Sequence, residues 1–144
     1  MVYNLEEEYN RYVQEIGGIL VSSEEPSKDI RKTRVAAGVT QAELGRLLNL
    51  RRETISRIEN GIIKPTFKFV KKFAKTIAVA KIIRDLHALE EVSVLDGRSF
   101  VVEPTFLRSY FNVPMPDFKM ISEIGIRGYQ KSRAKIIKEM REVV

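Results

Sequence analysis

Residues 40–61 read Thr40-Gln-Ala-Glu-Leu-Gly-Arg-Leu-Leu-Asn-Leu-Arg-Arg-Glu-Thr-Ile-Ser-Arg-Ile-Glu-Asn-Gly61, and their spacing decides the fold. Thr40 is a good helix N-cap and Glu43, three residues on, completes a capping box, so a helix is expected to open at Gln41. Ala42, Leu44, Gly45, Leu47 and Leu48 then lay an apolar stripe along one side at i, i+3, i+4 spacing, with small members that suit close helix contact. Asn49 tolerates the left-handed conformation that ends a helix, after which Leu50 can tuck back into the core. A second helix is expected from about Arg52 to Asn60, burying Ile55 and Ile58 and stopping at Gly61.

The other face of that second helix carries Arg52, Glu53 and Arg57. On an isolated surface these would be three solvated charges. At the N-terminal half of a helix braced by another, they have the reach and the donor groups to enter a DNA major groove. The charge distribution agrees. Residues 28–76 hold 13 basic and 4 acidic side chains, net +9, while residues 1–27 are at −5 and residues 77–144 at +2 within a total of +6. Basic density therefore sits on the motif, where it would supply the salt-dependent part of DNA affinity by releasing counterions.

Residues 28–78 resemble the helix-turn-helix domain of the lambda repressor/Cro (XRE-type) family, through the TQAEL, ISRIENG and KP segments at matching spacing. The resemblance covers about a third of the chain. It implies a mainly α, lambda-repressor-like five-helix DNA-binding domain, here with an N-terminal helix and a C-terminal helical extension. It also implies a structural ion pair between Arg34 and Glu59, base contacts from Arg52, Glu53 and Arg57 within a recognition segment 52–60, and phosphate contacts from Gln41, Thr54, Asn60 and Lys64. Two positions depart from the family pattern. Arg51 stands where Ser or Thr usually caps the recognition helix, losing that cap and offering another phosphate contact, and Asn49 replaces a glycine at little expected cost.

The flanks divide the chain into 1–27, an N-terminal amphipathic helix and linker; 28–90, the helix-turn-helix unit; and 91–144, a dimerisation or sensing region. Leu5, Tyr9, Tyr12, Val13 and Ile16 share one face of a helix over residues 3–16, with Glu6, Glu7, Glu8 and Glu15 largely outside, until Gly17-Gly18 stops it. Its tyrosines mark either a partner surface or internal packing. Ile19–Val21 reads as extended and 22–27 as a linker, with Ser27 capping the next helix. A helix from Pro65 is expected to bury Phe67, Val70, Phe73, Ala74 and Ile77 and expose Lys68, Lys71, Lys72 and Lys75, and a fifth helix to follow through Ile82, Ile83, Leu86 and Leu89 to about Glu90. Asp96-Gly97, within Val92–Val102, signals either a β-hairpin or a plain turn. Short helices are expected after Pro104 and from Asp117 to Ile124. Gly125-Ile-Arg-Gly128 then turns the chain into a last helix to about Glu142, carrying a Lys131, Lys135, Lys138 stripe. A GXXG loop followed by basic residues is also how KH-type domains clamp a nucleic-acid backbone, a second meaning for this segment.

Other chemistries find little support. The chain has no cysteine, which excludes disulfides, thiol catalysis and cysteine-based zinc sites, and the single histidine, His87, has no histidine partner. No nucleophile elbow, phosphate-binding loop or paired-carboxylate site stands out, so no catalytic residue, metal or cofactor is assigned. With no secretory signal and no long apolar run, a cytoplasmic protein is expected. The leading expectation is a sequence-specific transcriptional regulator, a homodimeric repressor on a roughly palindromic double-stranded operator. The alternatives are a protein-binding adaptor or coactivator and an antitoxin-type autorepressor.

Overall fold

In the computed structural model, which describes residues 4–95 and 118–143, the chain forms six α-helices among the described residues. They are α1 (Leu5–Ser22), α2 (Pro26–Ala36), α3 (Gln41–Leu48), α4 (Arg52–Glu59), α5 (Phe67–Leu95) and α6 (Phe118–Val143). None is long and apolar enough to cross a membrane.

Helix α1 opens on Asn4, whose side chain accepts from Glu7 N at 3.0 Å, and its first turn holds Glu6, Glu7 and Glu8, charges that suit the positive end of the helix dipole. It does not stop at Gly17-Gly18 but runs on to Ser22, so Ile19–Val21 is helical rather than extended. The reason lies in the packing of Tyr12, Ile16 and Leu20, which recur at i+4 and are all buried. Two glycines cost about 2 kcal/mol in helix propensity, and burying a leucine one turn later returns about as much. Tyr12 donates to the Asp85 carboxylate, which Arg84 also holds at 3.0 Å, tying α1 to α5. Burial, with the neighbouring Asp85 charge, raises the Tyr12 phenol well above its ordinary value. Tyr12 thus faces inward, and Tyr9 is partly buried against the same core.

The linker shrinks to Ser23–Glu25. Helix α2 starts at Pro26 with Glu25 as N-cap and no side-chain cap bond, so Ser27 lies inside the helix instead of capping it. Ser23 takes over locally, accepting from Glu25 N at 3.0 Å and pairing with Asp29.

Helix α5 begins two residues later than Pro65 because Thr66 caps it, accepting from Phe69 N at 3.1 Å. Phe67, the first residue of the helix, is left out in solvent, and Phe69 is buried. Phe73, Ala74 and Ile77 are buried as expected, Val70 is half-buried, and Lys68, Lys71, Lys72 and Lys75 are exposed. There is no separate fifth helix, since nothing between Ile77 and Leu89 breaks the backbone pattern and α5 continues to Leu95. From Thr76 to Ala80 every residue is buried, as a central helix clasped by α1, α3 and α6 requires. Val92–Leu95, read as the first strand of a hairpin, is the end of this helix; Asp96–Asp117, with the Asp96-Gly97 turn and the helix after Pro104, lies outside the described residues.

Helix α6 is likewise unbroken through Gly125 and Gly128. A Cβ on Gly125 would stand 2.5 Å from Ile83 Cγ2 and 3.1 Å from Ala80 O. The glycine is therefore a notch that lets α6 lie against α5, with Ile121 and Ile124 fully buried beside it. A helical Gly125–Gly128 is no clamp loop, which removes the KH reading.

Candidate nucleic-acid interface

Helix α3 carries the expected capping box: Glu43 N donates to Thr40 Oγ1 at 3.1 Å, and Thr40 N donates to Glu43 Oε1 at 2.9 Å. It buries Leu44, Gly45, Leu47 and Leu48, while Ala42 is exposed. Asn49 then adopts φ 57°, and Leu50 N donates to Gly45 O at 2.7 Å. This turn is so tight that a Cβ on Gly45 would lie 2.7 Å from Leu50 O, so only glycine fits there. Leu50 itself does not tuck into the core and remains 39% exposed, because the return of the chain to α4 begins at once.

Helix α4 starts at Arg52 with no side-chain cap from Arg51, and Ile55 and Ile58 lock its inner face into the core. Its orientation is fixed by a buried network. Arg34 Nε donates to Glu59 Oε2 at 2.6 Å, Arg34 Nη2 to Glu59 Oε1 at 2.9 Å and Arg34 Nη1 to Val39 O at 2.8 Å. Gln41 Nε2 adds a bond to Glu59 Oε1 at 3.1 Å. A bidentate guanidinium–carboxylate pair is geometrically strict, so α2, α4 and the start of α3 are held as one unit.

The outer face of α4 presents Arg52, Glu53 and Arg57, all exposed and none engaged in an ion pair among the described residues. Rows at i, i+4 put Arg52, Ser56 and Asn60 along one line and Glu53 and Arg57 along the next. Ser56 therefore sits between the arginines, half-exposed, a position the sequence reading passed over although the helical period contained it. Asn60 closes the helix, its Nδ2 donating to Ser56 O at 2.9 Å, and Gly61 follows at φ +74°. Arg51 and Lys64 are exposed and Thr54 is half-buried.

Two side chains from α6 reach this surface. Arg127 Nη2 donates to Glu43 Oε1 at 2.7 Å and to Gly38 O at 2.5 Å, spanning the start of α3. Burial alone would raise the Glu43 carboxyl, but the hydrogen bonds from Arg127 and Thr40 outweigh it and hold the group below its ordinary value. One turn on, Lys131 borders an open depression of about 400 Å³ whose rim includes Thr40, Gln41, Ala42 and Arg52. The sequence places Lys131 in a lysine stripe and Arg127 in a GXXG turn, but their position at this surface depends on how α6 crosses the rest of the chain.

The family model for helix-turn-helix domains matches residues 30–80. No curated protein and no solved structure matches the chain.

Proposed function

We propose, from the match of residues 30–80 to a helix-turn-helix family model, that this segment is a Cro/C1-type (XRE-like) DNA-binding domain and that the whole chain is a sequence-specific transcriptional repressor. The observation that carries the reading is the outer face of α4. Its Arg52, Glu53 and Arg57 are exposed on a helix that Arg34–Glu59 holds rigidly. Guanidinium groups bind guanine O6 and N7 in the major groove, and a carboxylate accepts from cytosine N4. Gln41, Arg51, Thr54, Asn60 and Lys64 surround that face and grip the backbone. Gln41 Nε2 donates one hydrogen to Glu59, which leaves its second N–H and the main chain at the α3 N-terminus to meet a phosphate.

One helix of this length reads only a few base pairs, so two copies act together on half-sites about 34 Å apart along a palindromic operator in the cytoplasm. Residues 28–90 serve as the reading unit and residues 91–144 as a dimerisation or sensing region. An adaptor role would not use Tyr12, which is buried against Asp85. Selection of bound duplexes from a random library near 150 mM salt tests the proposal. A palindromic motif is expected, whereas binding without enrichment would overturn sequence-specific recognition.

A further inference from the structure

The depression at the starts of α3 and α4 is not bounded by the helix-turn-helix alone. Lys131 of α6 forms part of its rim beside Gln41 and Arg52. Its ammonium makes no hydrogen bond or ion pair among the described residues. Lys135 and Lys138 follow at i+4 and i+7, which places all three on one side of the helix, and all three are exposed. Arg127, one turn before Lys131, anchors this part of α6 to α3 through Glu43 and Gly38 O. That anchor has a second effect. Glu43 is the third residue of α3, and its carboxylate would repel an incoming phosphate; the paired guanidinium cancels that charge.

We propose that α6 is a second DNA-contacting element, in which Lys131 grips a backbone phosphate beside the one held at the α3 N-terminus and Lys135 and Lys138 continue along the same flank. This rests on the DNA-binding reading above and adds to it a strip of backbone outside the groove that α4 reads. The contacts are to phosphate, so they raise affinity and salt dependence for every sequence and leave base preference unchanged. Arg127 is a positioning residue: it sets where α6 crosses α3.

The test is the salt dependence of affinity of the full chain for a duplex of random sequence about 30 base pairs long. Each lost phosphate contact lowers the slope of log K against log salt by about 0.9 and weakens binding about fivefold at 150 mM. Lys131→Gln is expected to show one such step and the triple Lys131→Gln, Lys135→Gln, Lys138→Gln up to three. Lys119→Gln, about 18 Å away near the start of α6, is expected to show none. All these lysines are exposed, and thermal melts of the variants matching the parent confirm folding. Unchanged slopes in the α6 variants alongside a lowered slope for Lys64→Gln would overturn the role of α6 and leave the DNA-binding reading standing. An equal loss in Lys119→Gln would reduce the effect to net charge and overturn it too. A changed oligomeric state in the triple variant, seen by sedimentation, would make the stripe a contact between copies instead. A parent chain that binds no duplex at all would overturn both readings.

Discussion

Residues 40–61 and residues 118–143 both carry internal glycines, yet they use them in opposite ways. In the first stretch Gly45 accommodates a turn that brings Leu50 O within 2.7 Å of its would-be Cβ, and Gly61 ends α4 at φ +74°. In the second, Gly125 stays inside a continuous helix and serves as a recess for Ile83. Local rules govern the first stretch, where cap, left-handed residue and apolar period all point to the same structure. Tertiary packing governs the second, because a glycine that breaks an isolated helix is tolerated when its bare backbone lets two helices touch.

The largest test of this contrast lies in the locally legible region. Glu59→Ala leaves Arg34 buried without its carboxylate, and a loss of about 3–5 kcal/mol is expected in chemical denaturation. A loss below about 1 kcal/mol would mean the pair does not hold α4. In the tertiary region, Gly125→Ala pits about 1 kcal/mol of improved helix propensity against a contact with Ile83 that must shift. The clash wins, and a net loss of about 1–2 kcal/mol is expected. A stabilised Gly125→Ala protein would show that the glycine is no recess.

Arg127 joins the two regions. At neutral pH Arg127→Gln is expected to cost up to about 1 kcal/mol, as befits a partly exposed pair. Because the folded Glu43 carboxyl sits below its ordinary value, the stability it contributes is present above the ordinary carboxylate range and disappears as pH falls through the folded value. The gap between parent and variant should therefore close below about pH 4 in denaturation series, whereas a constant gap would assign the loss to something other than this pair. Smallest of all, Gly17→Ala places a methyl where nothing lies within 4 Å, and should stabilise the protein by about 0.5–1 kcal/mol. A loss there would mean α1 needs its glycines after all.

What was legible in the sequence follows the same division. Thr40, Glu43, Asn49 and Gly61 act over three or four residues, so their roles could be read directly, and the structure matches each. Arg34–Glu59 spans 25 positions and was legible only through family resemblance. The continuity of α1 past Gly17-Gly18 depends on what Leu20 meets, and the continuity of α6 depends on Ile83, neither of which a local pattern contains. Phe67 is exposed because Thr66, not Pro65, caps α5 and leaves Phe67 as its first residue, while Phe73, Ala74 and Ile77 keep the buried face that the period gives. Of the candidate interface, the exposure of Arg52, Glu53 and Arg57 on α4 was legible, whereas the nearness of Lys131 and Arg127 to α3 was not, since only the crossing of α6 over α3 brings them there.

The central claim is that the exposed face of α4 reads base edges. Duplex selection run in parallel on the parent chain and on Arg57→Ala tests it most directly. The account predicts a palindrome from the parent and, from the variant, the same motif with one position per half-site relaxed, equivalent to about 1–3 kcal/mol at that base pair. Identical motifs from both proteins at equal affinity would contradict it.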